Sequence, residues 1–290
     1  MSIVDKIVDT QDLATLPSVA TKILDFMESD DVSLSDLARI IESDPALTLK
    51  IIKVANSPIY ATRNEIISIS QAVTILGLNR ITNIVLGISI FSNFLIAGDK
   101  NLELLVDQFW WHSSCTALVA KSIAGKINAS LGEKEFLVGL LHDIGKLAMM
   151  QYDPTEYQKV IELSDFDEMS HLESERKFFG TDHIEVAIAM GKKWDLPSEI
   201  SSLLPLKLQE DMDEMDKNVV AVVEFANKLC EIWGAGFYQG IHSINFEAEW
   251  YWQQLKITFS SMKDFDVELF TLDLEHDFSE ATNFLELVKA

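Results

Sequence analysis

Apolar residues recur along this chain at spacings of three and four, and nowhere do they alternate with polar ones between hairpin-type turns. That pattern selects helices over strands from end to end, so the fold class read from it is all-α. Start and stop signals divide the pattern. Pro17 opens a first helix, SVATKILDFMES, and Ser33 followed three residues later by Asp36 has the form of a capping box ahead of LARII. Asp44-Pro45 reads as a cap plus a first-turn proline for ALTLKIIKVAN, which puts Leu47, Ile51 and Val54 on one face and stops at Asn56-Ser57-Pro58. Ser68 and Gln71 give AVTIL a box-like start, and Gly77 is placed to end it as a left-handed terminator. Residues 1–98 therefore read as five short helices forming an N-terminal subdomain.

Gly98-Asp99-Lys100-Asn101 is the best joint, and 99–290 reads as a second helical subdomain. Its segments fall near 103–127, 134–150, 155–164, 170–178, 182–193, 197–207 and 216–233. Trp250, Trp252, Leu255 and Phe259 then have spacings that suit closing helices. With 290 residues, 48% of them hydrophobic, there is ample material for a buried core. The balance of 23 basic against 46 acidic residues gives a formal charge of −23, which repels a nucleic-acid backbone or an anionic membrane. No nucleic-acid partner is expected. The run Ile81 to Gly98 approaches the length of a membrane span, but Asn83, Ser89, Ser92 and Asn93 interrupt it, so it reads as a core helix. Cys115 and Cys230 have neither disulfide nor zinc spacing and read as reduced thiols. The first residues carry no secretory pattern, and the expected compartment is the cytoplasm.

Chemistry concentrates in FLVGLLHDIGKLAMM, where His142 and Asp143 interrupt an apolar run read as a single helix and Lys146 lies one turn on. Adjacent imidazole and carboxylate groups can reach one divalent ion if other helices bring further ligands, for which His112 in QFWWHSSC is the obvious candidate and His183 in GTDHIEVA a fourth. The residues alone leave a second role open, that of satisfied structural groups, with His142 and Asp143 as a buried hydrogen-bonded polar pair. Asn56, Ser57, Tyr60 and Arg63 likewise read either as turn packing or as a protein-binding loop.

Histidine, then about thirty residues later HD followed by IGK, resembles the HD superfamily of metal-dependent phosphohydrolases, and HDIGK especially its HD-GYP branch. The first half is similar to the HDOD (HD-related output domain) family through LPSVATKIL from Leu16, the run from Asp36 to Tyr60 and that from Ile67 to Ser89; FWWHSS, GLLHDIGKLAM, GTDHIEVA and KKWDLP extend the likeness. The resemblance implies an HDOD fold, in which an N-terminal helical subdomain packs on a degenerate HD-like helical bundle. It also implies a bacterial signal-transduction role, non-enzymatic and exercised through protein–protein contact, with a two-component or cyclic-dinucleotide component as partner. In catalytic HD relatives a late aspartate completes the metal shell; here VVAVVEFANKLCEI carries Asn227 at that position, and SSLLPLKLQE stands where HD-GYP proteins bring a histidine pair. The implied cofactor is none, or a weakly held divalent metal at His112, His142 and Asp143. The alternative is a metal-dependent phosphodiesterase or phosphohydrolase, in which Lys146 and Asp143 would take part in catalysis.

Overall fold

The computed structural model describes residues 1–9, 16–28, 33–57, 60, 65–93, 100–166, 170–236, 244–262, 266–272, 274 and 278. Among them there are helices and no strand. The chain starts with α1 (Ile3–Val8), which begins on a capping box of Ser2 and Asp5. Next come α2 (Ser18–Glu28), α3 (Leu34–Glu42), α4 (Pro45–Ala55), α5 (Ile69–Leu76) and α6 (Leu78–Asn93). Ser33 and Asp36 form the reciprocal box, and Asp44 caps α4 by accepting from Ala46 and Leu47 N–H. Each cap satisfies amides that a helix start leaves without partners. Ser68 caps α5, but the Gln71 amide oxygen accepts from Ile67 N–H, one residue earlier than a box requires. Gly77 has φ 86° and ψ 165°: the positive φ is there, but the conformation is extended, not left-handed helical.

Leu47, Ile51, Val54 and Ala55 are buried on α4, as their spacing dictates. Fully burying each large aliphatic contributes about 1.5–3 kcal/mol. Most of α6 is buried, including Thr82, Asn83 and Ser89. Thr82 Oγ1 donates to Leu78 O at 2.9 Å and Asn83 Nδ2 to Gly132 O at 3.4 Å, so protein groups take up these two side chains, while Ser89 Oγ is buried without a hydrogen-bond partner. Residues 94–98, the end of that apolar run, lie outside the described residues, and no helix among those described is long and apolar enough to cross a membrane.

The remaining helices are α7 (Lys100–Lys126), α8 (Lys134–Leu141), α9 (Ile144–Tyr152), α10 (Pro154–Phe166), α11 (His171–Phe179), α12 (His183–Lys193), α13 (Ser198–Ser201), α14 (Glu214–Cys230) and α15 (Trp250–Thr258). The long helix α7 is the axis, with α8, α9 and α14 against it, α12 against α9, and α15 outside α14. Gly139 and Gly145 permit two of these approaches: a Cβ on Gly139 would lie 2.7 Å from Ala117 Cα, and one on Gly145 would lie 1.9 Å from His183 O. Helix α1, not anticipated from the sequence, packs across on α9 and α12. Arg80 of α6 meets Glu133, just before α8, at 2.7 Å, and Lys121 of α7 donates to the same carboxylate, tying α6 to α7 and α8. Both cysteines are free and buried.

Two expected helices are corrected. The stretch 134–150 is not continuous: Asp143 adopts φ −97° and ψ 10°, and the chain turns at His142-Asp143 between α8 and α9. Every residue from 135 to 150 is buried, so the sequence carried no amphipathic stripe whose phase would reveal the break. The segment 197–207 is helical for one turn only, because Pro205 has no N–H to donate and disfavours helical geometry at Leu204.

Candidate metal centre

Helix α7, the α8–α9 turn and helix α12 converge on Asp143. Helix α7 brings His112 and the α8–α9 turn brings His142 and Asp143, whose ligand atoms lie within 4.8 Å of one another. The first turn of α12 brings His183, and the α9–α12 approach at Gly145 sets its distance. His112 Nε2 and His142 Nε2 each stand 3.5 Å from Asp143 Oδ2, and His183 Nε2 stands 3.5 Å from Oδ1. His112, His142, Asp143 and Lys146 are all at most 5% exposed.

The other ring nitrogen of each histidine is already engaged. His112 Nδ1 donates to Ala235 O at 2.9 Å, where α14 gives way to a π-helical turn, Glu231–Ala235. His142 Nδ1 donates to Gly139 O at 2.9 Å, and His183 Nδ1 to Glu175 Oε2 at 2.7 Å. Carbonyl and carboxylate oxygens only accept, so Nδ1 of each ring carries a proton and Nε2 is the atom turned toward Asp143. Burial is the main cause that lowers His112 to about 4 and also lowers His142, keeping both rings neutral near pH 7. Burial opposes ionisation of Asp143, but Lys146 and then His142, His183 and His112 outweigh it and hold the carboxyl well below its usual range. Lys146 Nζ donates to Oδ2 at 2.5 Å.

His142 and Asp143 are therefore not the mutually hydrogen-bonded pair that a structural role suggested. His142 Nε2 is buried without a hydrogen-bond partner, and so is Asn227 Oδ1 on α14. Imidazole nitrogen and amide oxygen are both metal-ligand atoms, and two ligands on a tetrahedral cation at about 2.1 Å stand about 3.4 Å apart. The donor set fits one divalent cation of the kind that favours imidazole. His112, His142, Asp143 and His183 would hold it, with Asn227 as a neutral donor.

Asn227 lines the same cleft as His142, Asp143, Lys146 and His183, a cavity of about 260 Å3. Glu224, one turn before it, accepts from Asn227 Nδ2 at 3.2 Å. Burial pushes Glu224 up to about 7, so it offers no dependable second anion at neutral pH. Sequence reasoning missed Glu224 and Glu175. Glu175 shares one face of α11 with His171, four residues earlier, and only the structure shows that this face is buried.

The proposed interaction residues near α4 make contacts within the chain. Asn56 exchanges hydrogen bonds with Ile66 N and O at 2.8 and 2.7 Å, and Ser57 Oγ donates to Val54 O at 2.6 Å. Tyr60 is buried with Lys121 Nζ 4.6 Å from its ring centre. Arg63 lies outside the described residues.

A family model for the HDOD domain matches residues 13–207. The chain belongs to the HDOD family. An uncharacterized protein of Treponema pallidum (strain Nichols) is 25% identical over 229 residues, a span of 78% of this HDOD chain but only 43% of that protein. An HDOD domain protein from Geobacter sulfurreducens superposes with a TM-score of 0.74 at 24% identity, over 93% of this chain and 92% of that one. A candidate phosphohydrolase from Shewanella amazonensis gives 0.71 at 17% identity, covering 99% and 97%. A candidate signal transduction protein from Marinobacter aquaeolei gives 0.64 at 19% identity, covering 97% and 60%. At these identities the likeness establishes the all-α fold alone.

Proposed function

We propose that this HDOD chain is a signalling module that acts by binding another regulatory protein, and that its HD-type cluster is a single-cation centre without hydrolytic function. One observation carries the reading: among the described residues Asp143 is the only carboxylate that the three Nε2 atoms face, and Lys146 already neutralises it. In two-metal hydrolysis a second cation clamps the attacking and leaving oxygens, and the ligand cluster found among the described residues accounts for a single ion. Asn227 contributes a dipole where the catalytic pattern has a charge, and no histidine pair follows Pro197. The partner belongs to a two-component or cyclic-dinucleotide pathway, as the family resemblance implies. The net charge of −23 argues for a protein and against a polyanion.

The second reading, a metal-dependent phosphohydrolase, is favoured by the three Nε2 atoms, which a cation would satisfy. A bound cation would supply Lewis acidity and an activated water. Affinity capture from the native host with mass spectrometry tests the first reading. Recovery of a signalling protein whose binding survives Asp143→Asn supports it. Reproducible absence of any signalling protein, together with phosphodiester turnover, would replace it with the second.

A further inference from the structure

Glu175 is fully buried on α11 and both its oxygens are engaged. Oε2 accepts from the backbone N–H of His183 at 2.8 Å and from its ring Nδ1 at 2.7 Å, while Oε1 accepts from the Tyr157 hydroxyl at 3.3 Å. A buried carboxylate in this setting is costly unless the groups around it repay its desolvation. The three imidazoles facing Asp143 differ in one respect: His112 and His142 lean on neutral backbone carbonyls, whereas His183 leans on an anion. A carboxylate behind a ligating imidazole orients the ring and raises the basicity of the nitrogen that meets the metal.

We propose that Glu175 is a positioning residue that makes His183 the charge-carrying imidazole of the centre, supplying from behind the ring the second negative charge that Asn227 does not provide. The inference rests on the single-cation reading of the site. A dication facing Asp143, whose charge Lys146 already offsets, would stand largely uncompensated in the cleft, and Glu175 reduces that excess without touching the ion. The cation this arrangement selects is a borderline transition metal; magnesium and calcium favour all-oxygen shells.

The test is a cobalt(II) titration of the whole chain, read by the visible d–d absorption of the bound ion. Wild type is expected to bind one cobalt per chain. Glu175→Gln, which keeps the size and loses the charge, should weaken binding 10–100-fold, the range for losing such a partner. Adding Asn227→Asp to that variant should recover at least tenfold, a rescue that a purely structural role for Glu175 would not give. Equal affinity of Glu175→Gln and wild type, or no rescue, overturns the proposal and leaves the single-cation reading standing. No cobalt uptake by wild type overturns both. If Glu175→Gln does not fold, His183→Ala carries the test: a 10–100-fold loss supports the proposal, and unchanged affinity overturns it.

Discussion

Two clusters of charged groups pack against α7 and α8, and they are built on different rules. At the junction with α6, Glu133 is shared by Arg80 and Lys121, so each formal charge has an opposite one beside it. Around Asp143, three imidazole nitrogens and one ammonium meet a single carboxylate, and His142 Nε2 has no hydrogen-bond partner. A cluster whose charged groups all have opposite partners fixes the relation of helices; a cluster with surplus lone pairs is complete only with a cation. The difference assigns a joint to the first and a ligand centre to the second.

The largest expected effect comes from removing the hub of the second cluster. Asp143→Ala takes away the carboxylate that Lys146 pairs with at full burial, and should cost about 3–5 kcal/mol in chelator-treated protein. Denaturant midpoints measure this, and a loss below about 1 kcal/mol would mean that Asp143 matters only when metal is present. Next is Gly145→Ala. Its Cβ would sit 1.9 Å from His183 O, so α9 and α12 must separate, at a cost of about 1–3 kcal/mol and with His183 displaced from Asp143. Metal affinity should fall with stability in this variant. Wild-type values of both would show that His183 does not depend on that helix approach.

Much of this arrangement was legible in the sequence, and what was not has a physical reason. Ser33 with Asp36, and Asp44 with Pro45, marked helix starts because a cap is a local contract between neighbours. His112, His142 and Asp143 stood out as polar residues in apolar surroundings, and the fold brings them together. Glu175 was not legible. Its partner lies across the turn at Gly180, and nothing in ESERKFFGTDH tells a salt-bridged surface glutamate from one at zero exposure. The same holds for α1, whose contacts on α9 and α12 are far away in sequence.

A smaller effect separates the clusters by pH. Burial, and after it Glu133, pushes Glu135 beside the joint from the ordinary 4.5 up to about 7. The folded state then keeps a proton that the unfolded chain releases, so this group's stabilisation is full below about pH 4.5 and is lost as pH rises toward 7. His112, lowered from 6.5 to about 4, has the opposite sign: its contribution is lost as pH falls from 6.5 toward 4. Unfolding free energies in chelator should show Glu135→Gln removing a decline of about 1–3 kcal/mol between pH 4.5 and 7. An identical slope in wild type and variant would take Glu135 out of the joint.

The most direct measurement for the ligand centre is metal content by elemental analysis, paired with phosphodiester and phosphomonoester turnover in manganese, iron and magnesium. The account predicts no more than one divalent transition ion per chain, lost in Asp143→Ala, and turnover at the uncatalysed background. Two ions per chain, with hydrolysis above background that Asp143→Ala abolishes, would contradict it.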